Sequence, residues 1–440
     1  MQIKRFVLLF IIAILVSCSP YNGGGELVGT RKTKKWFEPS PYGMVLIPTG
    51  SLIIGQNDED IAWSLAATQK TVSIAAFWMD ETEITNDEYR QFIHWVLDSI
   101  KRQRLVDEGF DEFLMKDRQG NIIEPPVLNK MTRIDFRRNE EYREALAALE
   151  YSGDDRLVAN EFDIRKLIYK YSWYDLKQAA INDRFYDPVK GEYTGGFVIN
   201  AYGEKEEIKG RSSFIMRKEI KIYPDTLSWL KDFTYAYNEP YVKEYFSHPG
   251  YDNYPVVGIN WHQAQAFCHW RSELYNNNSS VRVQPWRLPS ETEWEYAARG
   301  GLIGQKYPWG GPYVPTKKGC FVANFKPRRG NYIGDGGSIT VPVGTYEPNG
   351  YGLYDMAGNV AEWTSDSYDE SAYAVVHDMN PSYSITPKES DNRIFKRKVI
   401  RGGSWKDIAF FLQNGVRTYE YQDSARSFIG FRTVRTKIEL

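Results

Sequence analysis

From Gly301 onward, glycine and proline break the chain too often for any long helix or strand to form. The runs Pro308-Trp309-Gly310-Gly311, Gly334-Asp335-Gly336-Gly337, Glu347-Pro348-Asn349-Gly350-Tyr351-Gly352 and Arg401-Gly402-Gly403 each mark a turn. Glycine opens the positive-φ region there, and proline withholds a backbone donor. Such a stretch folds as short strands and turns, so something other than long ladders must fill its interior. Aromatic side chains can do so. They make up 15% of the 440 residues, with 31 Tyr and 13 Trp, and rings bury large areas without long regular elements.

Upstream the local signals are more regular. Met44 to Pro48 and Gly50 to Gly55 read as two short strands around a turn, and Thr71 to Met79 reads as a strand. Thr85 with Glu88 forms a capping box, and Ile84 with Tyr89 forms a hydrophobic staple. Tyr89, Phe92, Ile93, Val96, Leu97 and Ile100 then keep helical spacing. Asn260 caps a helix through Trp261, Ala264, Phe267, Cys268 and Leu274. Ser290 with Glu293 opens another helix, which stops at Gly300-Gly301. Between 101 and 250 the texture changes to dense charge, a helix over Glu140 to Leu149, a strand-like run from Phe214 to Tyr223 and an aromatic stretch from Leu227 to Tyr245. This is too long for a simple loop and reads as a structured insertion.

The first residues bear on compartment. Lys4 and Arg5 precede an unbroken apolar run from Phe6 to Val16. That run is shorter than the roughly 20 residues a bilayer span needs and fits a secretory signal. It ends at Leu15-Val16-Ser17-Cys18, which is similar to the bacterial lipobox. The similarity implies cleavage before Cys18 and acylation of Cys18, with several acyl chains giving a stable anchor. An ordinary cleaved signal with a chance cysteine is the alternative. Asn22 to Gly25 and the basic Arg31, Lys32, Lys34 and Lys35 read as a flexible tether. The formal net charge of −2 excludes a chain-wide nucleic-acid field, and three cysteines exclude a disulfide framework.

The segments 44–55, 77–92, 254–270, 287–301, 347–366, 399–405 and 429–432, taken in order, resemble the formylglycine-generating-enzyme (sulfatase-modifying factor) family. The resemblance implies an α+β, C-type-lectin-like fold with few regular elements and a long insertion. The divisions are then a lipoprotein signal peptide at 1–17, the lipidated Cys18 and tether at 18–41, a first part of the body at 42–100, the insertion at 101–250 and the remainder of the body at 251–440. Enzymes of the family oxidise a sulfatase cysteine with two copper(I)-binding cysteines that follow a Gly-Gly-Ser motif. On Gly402-Gly403-Ser404 those positions fall at Asp407 and Leu412. A carboxylate is a hard ligand and an aliphatic chain is none, so copper, which selects soft thiolates, is not expected. Ser404, matching an active-site serine, is retained without a partner base in view.

The resemblance also implies two calcium sites. One uses the side chains of Asp355 and Glu362 and the carbonyls of Gly358 and Val360. A plain turn with Glu362 paired to an arginine is the alternative. The other uses Asn324, Phe325, Asp335 and Gly337, with a spacing that departs from the family pattern. Arg401 and Arg432 read as semi-buried structural arginines tying the C-terminal strands. Cys268 and Cys320 read as free thiols, with a single disulfide or a His262, His269 and Cys268 metal site as alternatives.

Segments 35–45, 213–240 and 245–261, together with the lipobox, resemble the GldK/PorK lipoproteins of gliding motility and type IX secretion. The GldJ lipoproteins are the near alternative. This resemblance implies a non-catalytic outer-membrane lipoprotein facing the periplasm, which self-associates into a ring with a GldN/PorN-type partner and binds no nucleic acid. A peptidoglycan or glycan binder, and an oxidoreductase with displaced cysteines, are the competing readings.

Overall fold

The computed structural model of the chain describes residues 37–55, 68–135, 140–155, 161–279, 281–316 and 318–438. By its contacts the chain divides into 1–39 with 440, and 40–439; the second unit is described below. The signal peptide, Cys18 and most of the tether lie outside the described residues.

Two four-stranded sheets carry the body. The first has the order β1 (Met44–Ile47), β4 (Phe77–Asp80), β16 (Val434–Thr436), β11 (Trp286–Arg287), antiparallel throughout. The second has the order β14 (Thr418–Tyr421), β13 (Arg397–Arg401), β12 (Ala361–Ser367), β15 (Ile429–Gly430), with β12 and β15 parallel. Two-stranded ribbons pair β2 (Gly50–Ile54) with β3 (Lys70–Ile74), β5 (Ile168–Tyr174) with β10 (Ile215–Lys221), β6 (Tyr186–Asp187) with β7 (Glu192–Tyr193), and β8 (Phe197–Ile199) with β9 (Lys205–Glu207). Helices α1 (Asn86–Asp107), α2 (Glu140–Ala147), α3 (Leu176–Ile181), α4 (Ser228–Asp232), α5 (Glu239–Glu244), α6 (Trp261–Asn278), α7 (Glu291–Ala298) and α8 (Ala372–Val375) complete the described elements. No strand among them exceeds 7 residues.

The three helix-start signals hold. Thr85, Asn260 and Ser290 each accept from the N3 backbone, while Glu88, Gln263 and Glu293 return to the cap backbone. Such reciprocal bonds satisfy orphan donors of the first turn. Tyr89 then anchors the core. Its ring stacks on Phe267 at 5.7 Å and meets Phe92 edge-on at 5.6 Å and Phe431 at 6.4 Å. Its hydroxyl donates to the Ile222 carbonyl at 2.9 Å.

Three expectations change. The strands at 44–47 and 50–54 do not pair with each other; β1 pairs with β4 and β2 with β3. The strand expected over 71–79 is broken at Ala75-Ala76 into β3 and β4, which serve different sheets. The division at 100/101 falls inside α1, which runs on to Asp107 and packs Leu105 with Phe113 and Leu146. The insertion packs on the body. Leu167, Tyr169, Tyr171 and Phe246 share one cluster with Tyr89, Phe267 and Trp363. An amphipathic ribbon must bury one face, and the nearest apolar surface is that of α1 and α6.

Candidate functional site

The turn after β13 is built to place Ser404. Gly402 and Gly403 have φ of +90° and +66°. A Cβ on Gly403 would lie 2.9 Å from the Phe411 carbonyl and 3.0 Å from Leu412 Cδ1. Only glycine meets both demands. Arg401, immediately before the turn, is fully buried and reaches Glu291 at 3.0 Å and Glu295 at 2.7 Å. Arg417 holds Glu291 at 2.6 Å, and Arg299 holds Glu295 at 2.6 Å. Arg401 and Arg432 are both fully buried, deeper than the half-buried positions expected of them.

Within this frame Ser404 Oγ donates to Asp407 Oδ2 at 2.6 Å, and Lys406 Nζ sits 2.7 Å from the other Asp407 oxygen. A hydroxyl-to-carboxylate bond of that length is charge-assisted and strong. Leu412 is buried with Tyr307, Val314, Ala323, Phe325 and Ala357. One reactive position is thus an oxygen anion neutralised by an ammonium, and the other is core hydrocarbon. Neither can form a thiolate or exchange a disulfide.

The two described thiols do not converge on this turn. Cys268 and Cys320 are free. Cys268 is buried in the α1–α6 core cluster, where burial pushes its thiol up. Cys320 is exposed, although the next residue, Phe321, packs against the Leu412 cluster. The two histidines near Cys268 are engaged elsewhere. His269 stacks on Tyr171 at 4.5 Å, and His262 lies between Lys218 and Asp423. Among the described residues no group of three His, Cys, Asp or Glu is placed to hold a metal.

The two oxygen-rich loops differ. In the first set Glu362 is fully buried, and both its oxygens are held. Arg432 contacts them at 2.7 to 2.9 Å, and Trp294 Nε1 donates to one at 2.7 Å. The arginine-paired turn is therefore the arrangement present at Glu362. Asp355 accepts from the Gly344 N–H at 2.7 Å. A residue that the sequence reading missed stands beside it. Glu83 is fully buried, and neither of its oxygens has a hydrogen-bond donor. Asp355 lies close enough for its charge to act on Glu83. Burial, then the charge of Asp355, pushes Glu83 well above the ordinary carboxylate range. Burial likewise raises Asp355 to about 6. Three carboxyl groups thus face one guanidinium, which calls for a shared proton or a cation. Glu83 sits between Thr82 and Ile84, after Asp80 and Glu81, so its own sequence context did not set it apart.

In the second set Asp335 accepts from Phe325 N at 2.5 Å and from Gly337 N at 3.2 Å. Asn324 is buried, and its Oδ1 has no donor. Calcium takes several hard oxygens at adaptable geometry. The orphaned oxygens of Glu83 and Asn324 fit that demand. Asp355 and Glu83 with the Gly358 and Val360 carbonyls would hold one ion, and Asn324 with Asp335 and the Phe325 and Gly337 carbonyls another. Glu362 would stand behind the first as the partner of Arg432.

Comparison with known proteins gives a consistent set of similarities. The family described as "Sulfatase-modifying factor enzyme 1-like domain" matches residues 31–437. The inactive C-alpha-formylglycine-generating enzyme 2 of Bos taurus is 36% identical over 185 residues, covering 41% of this chain and 49% of that protein. The formylglycine-generating enzyme of Streptomyces coelicolor is 34% identical over 187 residues, covering 42% and 53%. The chain thus spans about half the length of these relatives. The formylglycine-generating enzyme of Bos taurus is 26% identical over 417 residues, covering 93% and 78%. Among solved structures, PvdO from Pseudomonas aeruginosa is 17% identical over 92% of this chain and all of its own, with a TM-score of 0.43.

Proposed function

The chain belongs to the sulfatase-modifying factor enzyme 1-like family, and from that premise we propose that it is a non-catalytic member, working as a structural lipoprotein. The observation that carries this reading is chemical. The scaffold of the Gly402-Gly403-Ser404 turn is intact, while Asp407 and Leu412 stand where the family's enzymes keep thiolates. Inactive relatives occur in the family, the Bos taurus protein among them.

In this proposal Cys18 anchors the chain to the outer membrane, and the body faces the periplasm. The body assembles with further copies and a GldN/PorN-type partner into the ring of the type IX secretion and gliding machinery. The support is the resemblance of the insertion segments and the lipobox. A lipid anchor holds many copies in two dimensions and raises their effective concentration for assembly. Exposed rings on the insertion and nearby loops, such as Tyr235 and Tyr237, suit protein contacts. Calcium, bound at the two oxygen sets, serves only to hold loops. No helix among the described residues is long and apolar enough to cross a membrane, so in this proposal attachment rests on the acyl chains.

Purification of the full chain from native membranes in mild detergent tests the reading. A stoichiometric partner and a large assembly are expected. A lone monomer that oxidises a cysteine peptide with copper would overturn it.

A further inference from the structure

A cleft of about 950 Å³ lies where the insertion meets the body, away from Ser404 and from both oxygen sets. One wall is a face of the β5–β10 ribbon. Trp173 and Met216 stand opposite each other in register, and Lys218 and Ile220 continue the same face. The facing wall is the first turns of α6, with His262 and Gln265, backed by the 384–390 loop and the Gln422-Asp423 turn. At one edge the tip between β8 and β9 touches the body. Gly203 has φ of +81°, and a Cβ there would lie 2.7 Å from the Lys388 nitrogen. The insertion therefore arches onto the body at a contact only glycine can make.

The lining excludes several ligand classes. Lys218, Lys388 and Lys396 are balanced by Asp175, Glu204, Glu389 and Asp423, so no single sign of field builds up. Lys218 Nζ lies 2.8 Å from His262 Nδ1, and His262 Nε2 lies 3.3 Å from Asp423 Oδ1. An ammonium can only donate, so Nδ1 accepts and the imidazole proton sits on Nε2, toward Asp423. That chain absorbs the central charges among themselves. The ribbon presents side chains and not its edge, so an extended peptide would find no free ladder here. Ser384, Thr386, Gln265 and Gln422 offer neutral donors and acceptors, and the half-buried Trp173 and exposed Tyr202 offer ring faces. Gln265 lies one helical turn before His269, whose ring meets Trp173 at a tilt with 5.2 Å between centroids. The Gln265 amide and the Trp173 ring both line the cleft.

We propose that this cleft binds an uncharged, N-acetylated oligosaccharide. Its hydroxyls match the neutral polar lining. Its acetamido groups join a planar donor–acceptor pair to a methyl, and the lining offers an amide at Gln265 and a ring at Trp173. Its volume is that of a pocket enclosing a short polymer segment and not a single ion. The binding is independent of the scaffold role, since no assembly contact enters the argument.

The full chain in detergent, titrated with N-acetylchitotetraose, tests this by calorimetry and tryptophan fluorescence. Saturable heat is expected, with a fluorescence change that Trp173→Phe diminishes. Tyr202→Ala and Gln265→Ala should each weaken affinity by about tenfold or more while leaving the unfolding midpoint in place. Two substitutions on separate walls guard against one misfolding. A second arm uses muramidase-digested peptidoglycan, and a third uses its sugar-free peptide stems. Binding of either sugar probe that both substitutions weaken supports the site, and the stronger probe names the source. No saturable binding of either sugar, binding indifferent to both substitutions, or capture of the peptide stems alone would overturn it.

Discussion

Arg432 and Glu362 form a fully buried, forked ion pair, with the guanidinium Nε at 2.9 and 2.8 Å from the two carboxylate oxygens and Nη2 at 2.7 Å from one of them. Removing one partner strands the other charge away from water. Arg432→Met should therefore destabilise the fold by about 3–5 kcal/mol. The double change with Glu362→Gln should cost less than the two single changes summed. Urea unfolding of the four proteins measures the coupling, and strict additivity would show that the pair is not a unit.

Asp355 gives the fold a pH dependence with a definite sign. Its folded pKa, about 6, lies above the ordinary value of 3.8 because burial disfavours the anion. Its contribution to stability is complete below 3.8 and is lost as pH rises through about 6. In chelator, Asp355→Asn should remove this part of the slope and leave the protein more stable near neutrality. Asparagine suits the φ of +55° at this position. With calcium added, the wild type should gain thermal stability at neutral pH and the variant should gain less. An equal gain in both would separate Asp355 from any bound cation.

Gly358 admits no side chain. It has φ of +87°, and a Cβ would lie 2.3 Å from the Asn324 carbonyl oxygen. Gly358→Ala should cost on the order of 3 kcal/mol or more, since strain and backbone overlap act together. Thermal melting reads this directly. A midpoint within a degree or two of wild type would mean that the two loops are not in contact.

The lost chemistry can be sought at its own positions. Wild type should take up no copper(I) against a chromogenic competitor. The double change Asp407→Cys with Leu412→Cys should gain about one equivalent, because thiolates select that ion. Copper(I) uptake by the wild type that depends on Cys268 or Cys320 would contradict the scaffold reading.

Thiol labelling distinguishes the two described cysteines. In native protein iodoacetamide should modify Cys320 and spare Cys268, whose thiol is buried and held protonated. Denaturation should expose the second. Peptide mapping that finds the two joined would contradict the free thiols seen here.

The helix starts were legible because their determinants are local. Thr85 and Glu88, or Ser290 and Glu293, lie three residues apart, and the bonds they make need no tertiary contact. The extent of α1 was not legible. Lys101 to Arg104 fall in the dense charge that opens the expected insertion, yet Arg102 is buried, bonded to Asp98 and to the carbonyls of Asn129 and Thr132. A long cationic stem covering apolar surface reads as solvent-facing in a sequence. That Asp407 and Leu412 fall where the family's enzymes keep cysteines followed from the resemblance carried by the Gly402-Gly403-Ser404 motif. Glu83 was not, because its meaning comes from Asp355, Glu362 and Arg432, all far along the chain. The cleft was hidden for the same reason, as its walls are drawn from Trp173 to Asp423.

The seating of β4 between β1 and β16 has a consequence for how the molecule comes into being. Met79 waits for Val434 as its partner across the ladder, so one side of an apolar strand stays open until the far end of this domain has been made. An unpaired strand edge is a template for other chains, and contacts so remote in sequence form slowly. The unfinished protein is therefore most vulnerable to sticking to its own copies, and its yield will depend on how well it is kept apart from them until its last strand arrives.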